Sequence, residues 1–183
     1  MKALIVIDMQ NDFVIGNLGT PEARNIVPKI KAKIKNYIKN NPPTDQIVFT
    51  QDSHSFHGWD EPEKIEMKNV PPHCIEGTPG WCIVDELFPF ANEIIAKNNF
   101  GYLNWKTFFI DDSLSYKRLP PTSIEIVGVC TDICVISNAL ALRAIFPKTP
   151  IIVDASCCAG TTPEKHKAAL EVMKSCCIEV INE

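Results

Sequence analysis

Short runs of aliphatic residues recur along the chain, and polar residues follow most of them. Six such runs occur, at 4–7, 47–50, 94–96, 124–129, 151–153 and 178–181. Most of their residues are apolar at successive positions rather than at alternate ones, which indicates strands that are buried on both faces of a sheet. We therefore predict six strands in the interior of the protein.

Between these runs, apolar residues recur at helical spacing. Residues 23–38 place Ile30 and Ile34 on one face, residues 132–145 show the same period, and Thr162 is a typical N-cap for a last helix. Alternating strands and helices predict an α/β fold. We expect a doubly wound, mainly parallel six-stranded sheet with helices on both faces, a Rossmann-like three-layer arrangement.

The composition limits the class of protein. A chain of 183 residues with 45% hydrophobic and 22% charged residues is typical of a folded protein, so we expect one domain over residues 1–183. The net charge is −4, and basic residues cluster only in the solvated segment 29–39, which argues against a nucleic-acid partner. The apolar run at the start is too short to span a membrane, so we expect no membrane partner.

The cysteines indicate a reducing compartment. Eight are present, including the neighbouring pairs Cys157-Cys158 and Cys176-Cys177, and a chain of this size does not depend on disulfides. We therefore expect reduced thiols and a cytoplasmic location. The sequence leaves the oligomeric state open, a homo-oligomer included.

Chemically reactive residues follow four of the predicted strands. They are Asp8, Asp52 with His54, Lys97, and the segment 130–134. The ligand crevice of an open parallel sheet lies beyond the carboxyl ends of its strands. We therefore expect these residues to converge at one edge of the sheet.

Cys134 lies where a strand leads into a helix. The helix N-terminus favours a thiolate, and its amides could hold an oxyanion; a structural cysteine fits the pattern equally well. Proton transfer from a free thiol to an Asp is uphill by roughly 6 kcal/mol in water. Asp8 could serve as the base if burial raised its pKa and a nearby ammonium such as Lys97 lowered that of Cys134. The three residues therefore make chemical sense as a unit.

A metal site is predicted separately. Asp52 and His54, two residues apart on an extended segment, can face one ion, and His73 can complete the set. The residues alone leave the fourth ligand open among His57, Asp60, Glu61 and Glu63.

Taken together, these stretches resemble the nicotinamidase and pyrazinamidase branch of the isochorismatase-like cysteine hydrolases, over essentially the whole chain. The matching stretches are 7–13 (IDMQNDF), 50–54 (TQDSH), 71–74 (PPHC) with 77–80 (GTPG), Lys97, and 128–134 (GVCTDIC). Their order and spacing make the resemblance specific.

The resemblance implies a catalytic triad of Asp8, Lys97 and Cys134. It also implies an oxyanion hole formed by the backbone amides of Cys130 and Cys134, with a cis peptide bond just before Cys130. Phe13 matches an aromatic residue that packs on the substrate ring. Phe100, or Tyr102, would form the opposite wall.

The resemblance further implies one bound divalent metal ion. Asp52, His54 and His73 match three ligands, Glu63 best matches a fourth, and His57 is its rival. Zinc is the expected metal, with iron and manganese as alternatives because this set of ligands suits all three.

Three functional hypotheses follow. The first is hydrolysis of nicotinamide to nicotinate and ammonia through a Cys134 thioester, in NAD salvage, with activity on pyrazinamide as well. The second is a related cysteine amidohydrolase acting on another small amide or a carbamoyl compound. The third is a metal-binding or redox-sensing protein whose thiols form reversible disulfides.

Overall fold

The computed structural model describes residues 1–57, 65–110 and 119–183. Within these residues one sheet contains six strands: β1 (Lys2–Ile7), β2 (Gln46–Asp52), β3 (Ile94–Lys97), β4 (Ser123–Val129), β5 (Ile151–Ala159) and β6 (Glu179–Ile181). Their order is β3-β2-β1-β4-β5-β6, and every neighbouring pair is parallel. The predicted α/β fold is confirmed. The strand order changes direction between β1 and β4.

Helices and helical turns connect the strands. The α-helices of the described residues are α1 (Asn11–Val14), α2 (Pro21–Asn40), α3 (Ile65–Asn69), α4 (Trp105–Phe109), α5 (Ile136–Ile145) and α6 (Pro163–Ser175). A 3-10 turn spans Phe88–Phe90, and a π-helical turn spans Thr131–Val135. None of the helices in this part of the chain is long and apolar enough to cross a membrane.

Two of the predicted helices begin differently from the expectation. Helix α2 begins two residues earlier, because Thr20 is its N-cap: the Thr20 hydroxyl accepts a hydrogen bond from the Ala23 amide. The helix expected over 132–145 is preceded by the π-helical turn, in which the amides of Ile133 and Val135 both donate to the Cys130 carbonyl. The N-cap predicted at Thr162 is confirmed.

The core lies on both faces of the sheet. Leu4 and Val6 of β1 point to the face covered by α1 and α2, whereas Ile5 and Ile7 point to the face covered by α4, α5 and α6. All four residues are fully buried. Successive residues of the strands are therefore apolar because the sheet has no solvent-exposed face at its centre.

Candidate active site

The point where the strand order reverses brings Asp8 and the Cys134 turn together. Asp8 directly follows β1 with a φ of 49°, a left-handed conformation that Asp tolerates better than most residues. Gly128 in β4 has a φ of 123°, and a Cβ there would lie 2.2 Å from the Ile7 carbonyl oxygen. Only glycine fits this position, and the ends of β1 and β4 therefore lie close together.

Lys97 connects the chemically reactive side chains at this edge. It is the last residue of β3, and its ammonium nitrogen Nζ lies 2.7 Å from Asp8 Oδ2, 3.4 Å from Asp52 Oδ1 and 3.8 Å from Cys134 Sγ. All four side chains are buried. The structure thus brings Asp8, Lys97 and Cys134, named the triad below, into contact around one ammonium group.

Asp8 is held on both sides of its carboxylate. The Thr50 hydroxyl donates to Asp8 Oδ1 at 2.6 Å and accepts from the Asp8 amide at 3.1 Å, while Oδ2 contacts Lys97. Burial raises the pKa of Asp8, and this effect exceeds the lowering by Lys97 and by the Thr50 hydrogen bond. Asp8 is therefore a stronger base than an ordinary Asp, as expected.

The pKa of Cys134 differs from the expectation. Burial raises it well above its usual range and Asp8 raises it further, whereas Lys97 lowers it by less. The expected net lowering is wrong, because a fully buried thiol loses more solvation than one cation restores. The buried site therefore favours the neutral thiol form of Cys134.

The turn that precedes Cys134 has the expected backbone geometry. The peptide bond between Val129 and Cys130 is cis. Cys130 and Cys134 both line the same cavity. Burial raises the pKa of Cys130 to about 12, so this neighbouring thiol stays protonated at neutral pH.

Four further side chains form a compact group beside the triad, named the carboxylate–imidazole cluster. Its members are Asp52, His54, Glu66 and His73, and one ligand atom from each lies within 4.8 Å of the others. His54 Nε2 lies 2.9 Å from Asp52 Oδ2 and 3.9 Å from Glu66 Oε1. His73 Nε2 lies 3.3 Å and 3.6 Å from the same two oxygens.

The chemistry of this cluster fits a divalent cation. Two carboxylates and two imidazoles form the N₂O₂ set that zinc, iron and manganese accept. His73 Nδ1 lies 2.9 Å from the Pro71 carbonyl, which can only accept, so a neutral His73 would present the lone pair of Nε2 to the cluster. Burial lowers the pKa of His73, but its hydrogen bonds to Asp52 and Glu66 outweigh this and raise the pKa to about 9. The same negative charges favour a cation.

The fourth member of the cluster is not one of the candidates named from the sequence. Glu66, in α3, occupies this place. Glu63, like Asp60 and Glu61, lies outside the described residues. His57 is described, is exposed, and does not belong to the cluster. Glu66 could have been found as one more carboxylate in the same acidic segment, but the sequence offers no periodicity that separates it from its neighbours.

A cavity of about 400 Å³ opens onto both groups. Its lining includes Cys134 of the triad, His73 of the cluster, and the rings of Phe13 and Phe100. The Phe13 ring centroid lies 5.4 Å from that of His73. Tyr102, the alternative to Phe100, instead packs against Trp105 and lines a separate cavity.

Two polar residues that sequence reasoning missed, the buried Gln10 and the half-buried Asp12, support the cluster. Gln10 holds Asp52 by both backbone groups: its Nε2 donates to the Asp52 carbonyl at 2.8 Å, and its Oε1 accepts from the Asp52 amide at 2.7 Å. Asp12 accepts from the Cys74 amide at 2.7 Å, directly after His73. Both residues lie in the matching stretch 7–13, which is the signal that could have singled them out.

Comparison with known proteins assigns the class. Residues 2–183 match the isochorismatase domain, so the chain belongs to the isochorismatase family. Among individual relatives, the nicotinamidase/pyrazinamidase of Mycobacterium tuberculosis is 27% identical over 207 aligned positions, which cover 99% of this chain and 98% of the relative.

Solved structures agree with this assignment. The crystal structure of nicotinamidase/pyrazinamidase PncA from Bacillus subtilis superposes with a TM-score of 0.81 at 28% identity and covers 99% of each chain. The pyrazinamidase of Pyrococcus horikoshii, crystallised in complex with zinc, superposes with a TM-score of 0.80 at 27% identity. The two chains are covered to 100% and 99%, respectively.

Proposed function

We propose that this protein hydrolyses nicotinamide to nicotinate and ammonia as a cysteine amidohydrolase. The observation that carries the proposal is the position of Lys97, whose ammonium contacts Asp8, Cys134 and Asp52. Lys97 thereby links the nucleophile and its base to the carboxylate–imidazole cluster, whose residues suit a divalent cation. The three proteins compared above, each named nicotinamidase, pyrazinamidase or both, support the same reaction.

Acylation starts from the neutral thiol. Asp8 accepts the Cys134 proton as Sγ attacks the carboxamide carbon and forms the carbon–sulfur bond. Asp8 then donates that proton to the amide nitrogen, the carbon–nitrogen bond breaks, and ammonia leaves a thioester on Cys134. Lys97 stays charged beside both groups, and the amides of Cys130 and Cys134 stabilise the developing oxyanion.

Deacylation reverses the role of Asp8. Asp8 accepts a proton from water as the water oxygen attacks the thioester carbon. The carbon–sulfur bond breaks, and Asp8 returns the proton to the Cys134 sulfur. The carboxylic acid that is released ionises to nicotinate, and the starting triad is restored.

The carboxylate–imidazole cluster would hold a divalent metal ion, for which zinc is our first choice and iron or manganese the alternatives. When bound there, the ion would supply a Lewis acid that takes the pyridine nitrogen and orients the ring. Lys97 fixes one oxygen of Asp52 and leaves the other to face the imidazoles. Phe13 and Phe100 would pack on the ring from the walls of the cavity.

The nucleophile is tested by Cys134→Ala in the metal-loaded protein. We expect nicotinamide turnover to fall by about 10⁴-fold or more, since the bond-forming atom is removed, while the circular dichroism spectrum and metal content stay unchanged. Cys157→Ala is the matched control, because Cys157 is a buried thiol that does not line the cavity. Turnover retained by Cys134→Ala would contradict the proposal.

Substrate and metal need separate assays. Ammonia release is measured with nicotinamide, pyrazinamide and small linear amides or carbamoyl compounds. We expect the two ring amides to be hydrolysed best; release only from the linear compounds would favour the related amidohydrolase. Chelation should abolish activity and zinc should restore it, whereas full activity after metal removal would contradict the metal site.

Several expectations accompany this proposal. A single domain over residues 1–183 is supported by the family match over residues 2–183. A small-molecule substrate is supported by the relatives named above. The cytoplasmic location, the expectation of no nucleic-acid or membrane partner, and the possible homo-oligomer stay predictions. Size measurement in solution and cell fractionation would test them.

A further inference from the structure

Asn138 is a fully buried polar residue in α5, one helical turn after Cys134. Its side-chain amide makes four hydrogen bonds, the full capacity of the group. Oδ1 accepts from the Tyr102 amide at 2.9 Å and from the Trp105 indole N–H at 3.0 Å. Nδ2 donates to the Phe100 carbonyl at 3.1 Å and to the Cys134 carbonyl at 2.8 Å.

The partners fix the orientation of this amide. Both groups that face Oδ1 can only donate, and both carbonyls that face Nδ2 can only accept. A rotated amide would oppose donor to donor and acceptor to acceptor, and all four hydrogen bonds would be lost. Asn138 therefore has one arrangement that satisfies it.

These hydrogen bonds join two parts of the cavity. Phe100 and Cys134 both line it. The carbonyl oxygens of both residues bind the same Asn138 nitrogen, so they are held at a fixed separation. Gly101, the residue after Phe100, packs directly on α5, because a Cβ added there would lie 3.5 Å from the Ser137 side chain.

We propose that Asn138 is a positioning residue that sets the distance between the Phe100 ring and the Cys134 sulfur, and thereby the fit of the ring amide. It acts through the two carbonyls and does not touch the substrate. The same hydrogen bonds would hold the segment that follows Lys97 against the π-helical turn that contains Cys134. This inference rests on the proposed function where it speaks of a ring amide.

The test is a double-mutant cycle between Asn138→Asp and Phe100→Ala, with nicotinamide as the substrate. Asp keeps an acceptor for Tyr102 and Trp105 but cannot donate to the two carbonyls. We expect kcat/KM to fall by about tenfold to a hundredfold, because two buried carbonyls lose their donor. KM is the decisive readout, since the added charge near Cys134 acts on kcat.

The two effects on KM are expected to be non-additive. Phe100→Ala should raise KM in the unaltered protein and should change it little in Asn138→Asp, where the ring is already displaced. Independent effects that multiply in the double variant would overturn the proposal. Thr149→Val is the matched control: it removes a 3.0 Å hydrogen bond from a buried hydroxyl to the Pro121 carbonyl, and it should leave KM unchanged.

Hydrogen–deuterium exchange tests the link without any substrate. In the unaltered protein the Tyr102 amide should exchange as slowly as the core strands, although it lies in a loop. In Asn138→Asp, protection should fall both at residues 100–102 and at residues 133–135. A fast Tyr102 amide in the unaltered protein, or a change at only one of the two ends, would overturn the link.

This design separates the two proposals. If the unaltered, metal-loaded protein does not hydrolyse nicotinamide, the proposed function fails, and exchange still decides whether Asn138 couples the two segments. If Asn138→Asp does not fold, the Tyr102 amide of the unaltered protein decides.

Discussion

The triad, through Cys134, and the carboxylate–imidazole cluster meet at the same cavity but are held in different ways. Asp8 and Lys97 stand at the ends of β1 and β3, and Cys134 lies in the turn that follows β4. In the cluster only Asp52 lies in a strand; Glu66 lies in the short helix α3, and His54 and His73 lie in loops between β2 and β3. The sheet fixes one group, whereas most members of the other lie in the connection between two strands.

This difference matches the demands of the two tasks. Proton transfer and bond formation need reacting atoms in one geometry, because a small displacement costs a large factor in rate. Holding a ring in the cavity tolerates more freedom. Changes in the triad should therefore appear mainly in kcat, whereas changes in the cluster should appear mainly in metal affinity and KM.

The largest expected effect is that of Lys97→Met, which separates the two groups. We expect kcat to fall roughly 100- to 1,000-fold, because the cation beside Asp8 and Cys134 is lost. Metal affinity should not fall, since the removed ammonium lies 3.4 Å from Asp52 and repels a cation there. Steady-state kinetics and metal titration measure the two quantities.

The control for this variant is Lys33→Met. Lys33 of α2 also forms close ion pairs, with Glu125 and Asp154, but it lies away from the cavity. The Lys33→Met substitution should lower the free energy of unfolding and leave kcat unchanged. An equal loss of metal affinity and kcat in Lys97→Met would show that the two groups are not separable.

The next effect concerns the fourth member of the cluster. Glu66→Gln should weaken metal binding by about tenfold to a hundredfold, because one charged ligand is replaced by a neutral amide, and KM should rise with it. Metal content after dialysis and calorimetric titration measure this. Glu63→Gln and His57→Ala are the controls, and a larger loss in either would favour the sequence prediction over the structure.

The same contrast explains how far the sequence could predict this protein. The strands and the convergence of Asp8, Lys97 and Cys134 follow from apolar runs and from the rule that strand ends meet at one edge. Glu66 was missed because the path of the connection between β2 and β3 depends on tertiary contacts, such as those of Gln10 and Asp12, and not on periodicity.

The sequence also could not predict the outcome where two physical effects oppose each other. The net pKa of Cys134 depends on whether burial or Lys97 dominates, and this requires the depth of the site. Asn138 looks like an ordinary polar residue of a helix, because three of its four partners lie at least 33 positions away in the chain. The π-helical turn over Thr131–Val135 likewise has no pattern of its own.

A smaller effect is expected from the support of Asp8. Asp8 must be a carboxylate to accept the thiol proton, and its pKa is raised, so kcat/KM should be lost as the pH falls through a value above the usual range of Asp. Thr50→Val removes a hydrogen bond that lowers this pKa. The acidic limb should therefore move to higher pH, with about three- to tenfold lower activity near neutrality.

The pH profile of kcat/KM for Thr50→Val is to be compared with that of Thr50→Ser, which keeps the hydroxyl. The Ser variant should restore the acidic limb of the unaltered protein. An acidic limb that does not respond to the loss of the hydroxyl would mean that Asp8 is not the group that titrates.

The smallest effect distinguishes the scaffold from the cavity. Thr162 and Thr20 are both N-caps. Each hydroxyl accepts a hydrogen bond from the backbone amide three residues later, at 3.2 Å for Thr162 and 3.0 Å for Thr20. Replacing either by Ala should lower the free energy of unfolding by about 1 kcal/mol. Thr20 also lines the cavity and Thr162 does not, so only Thr20→Ala should change KM for nicotinamide. Denaturant titration and steady-state kinetics on the two variants measure these effects. Equal KM values for Thr20→Ala and Thr162→Ala would show that Thr20 contributes to stability only.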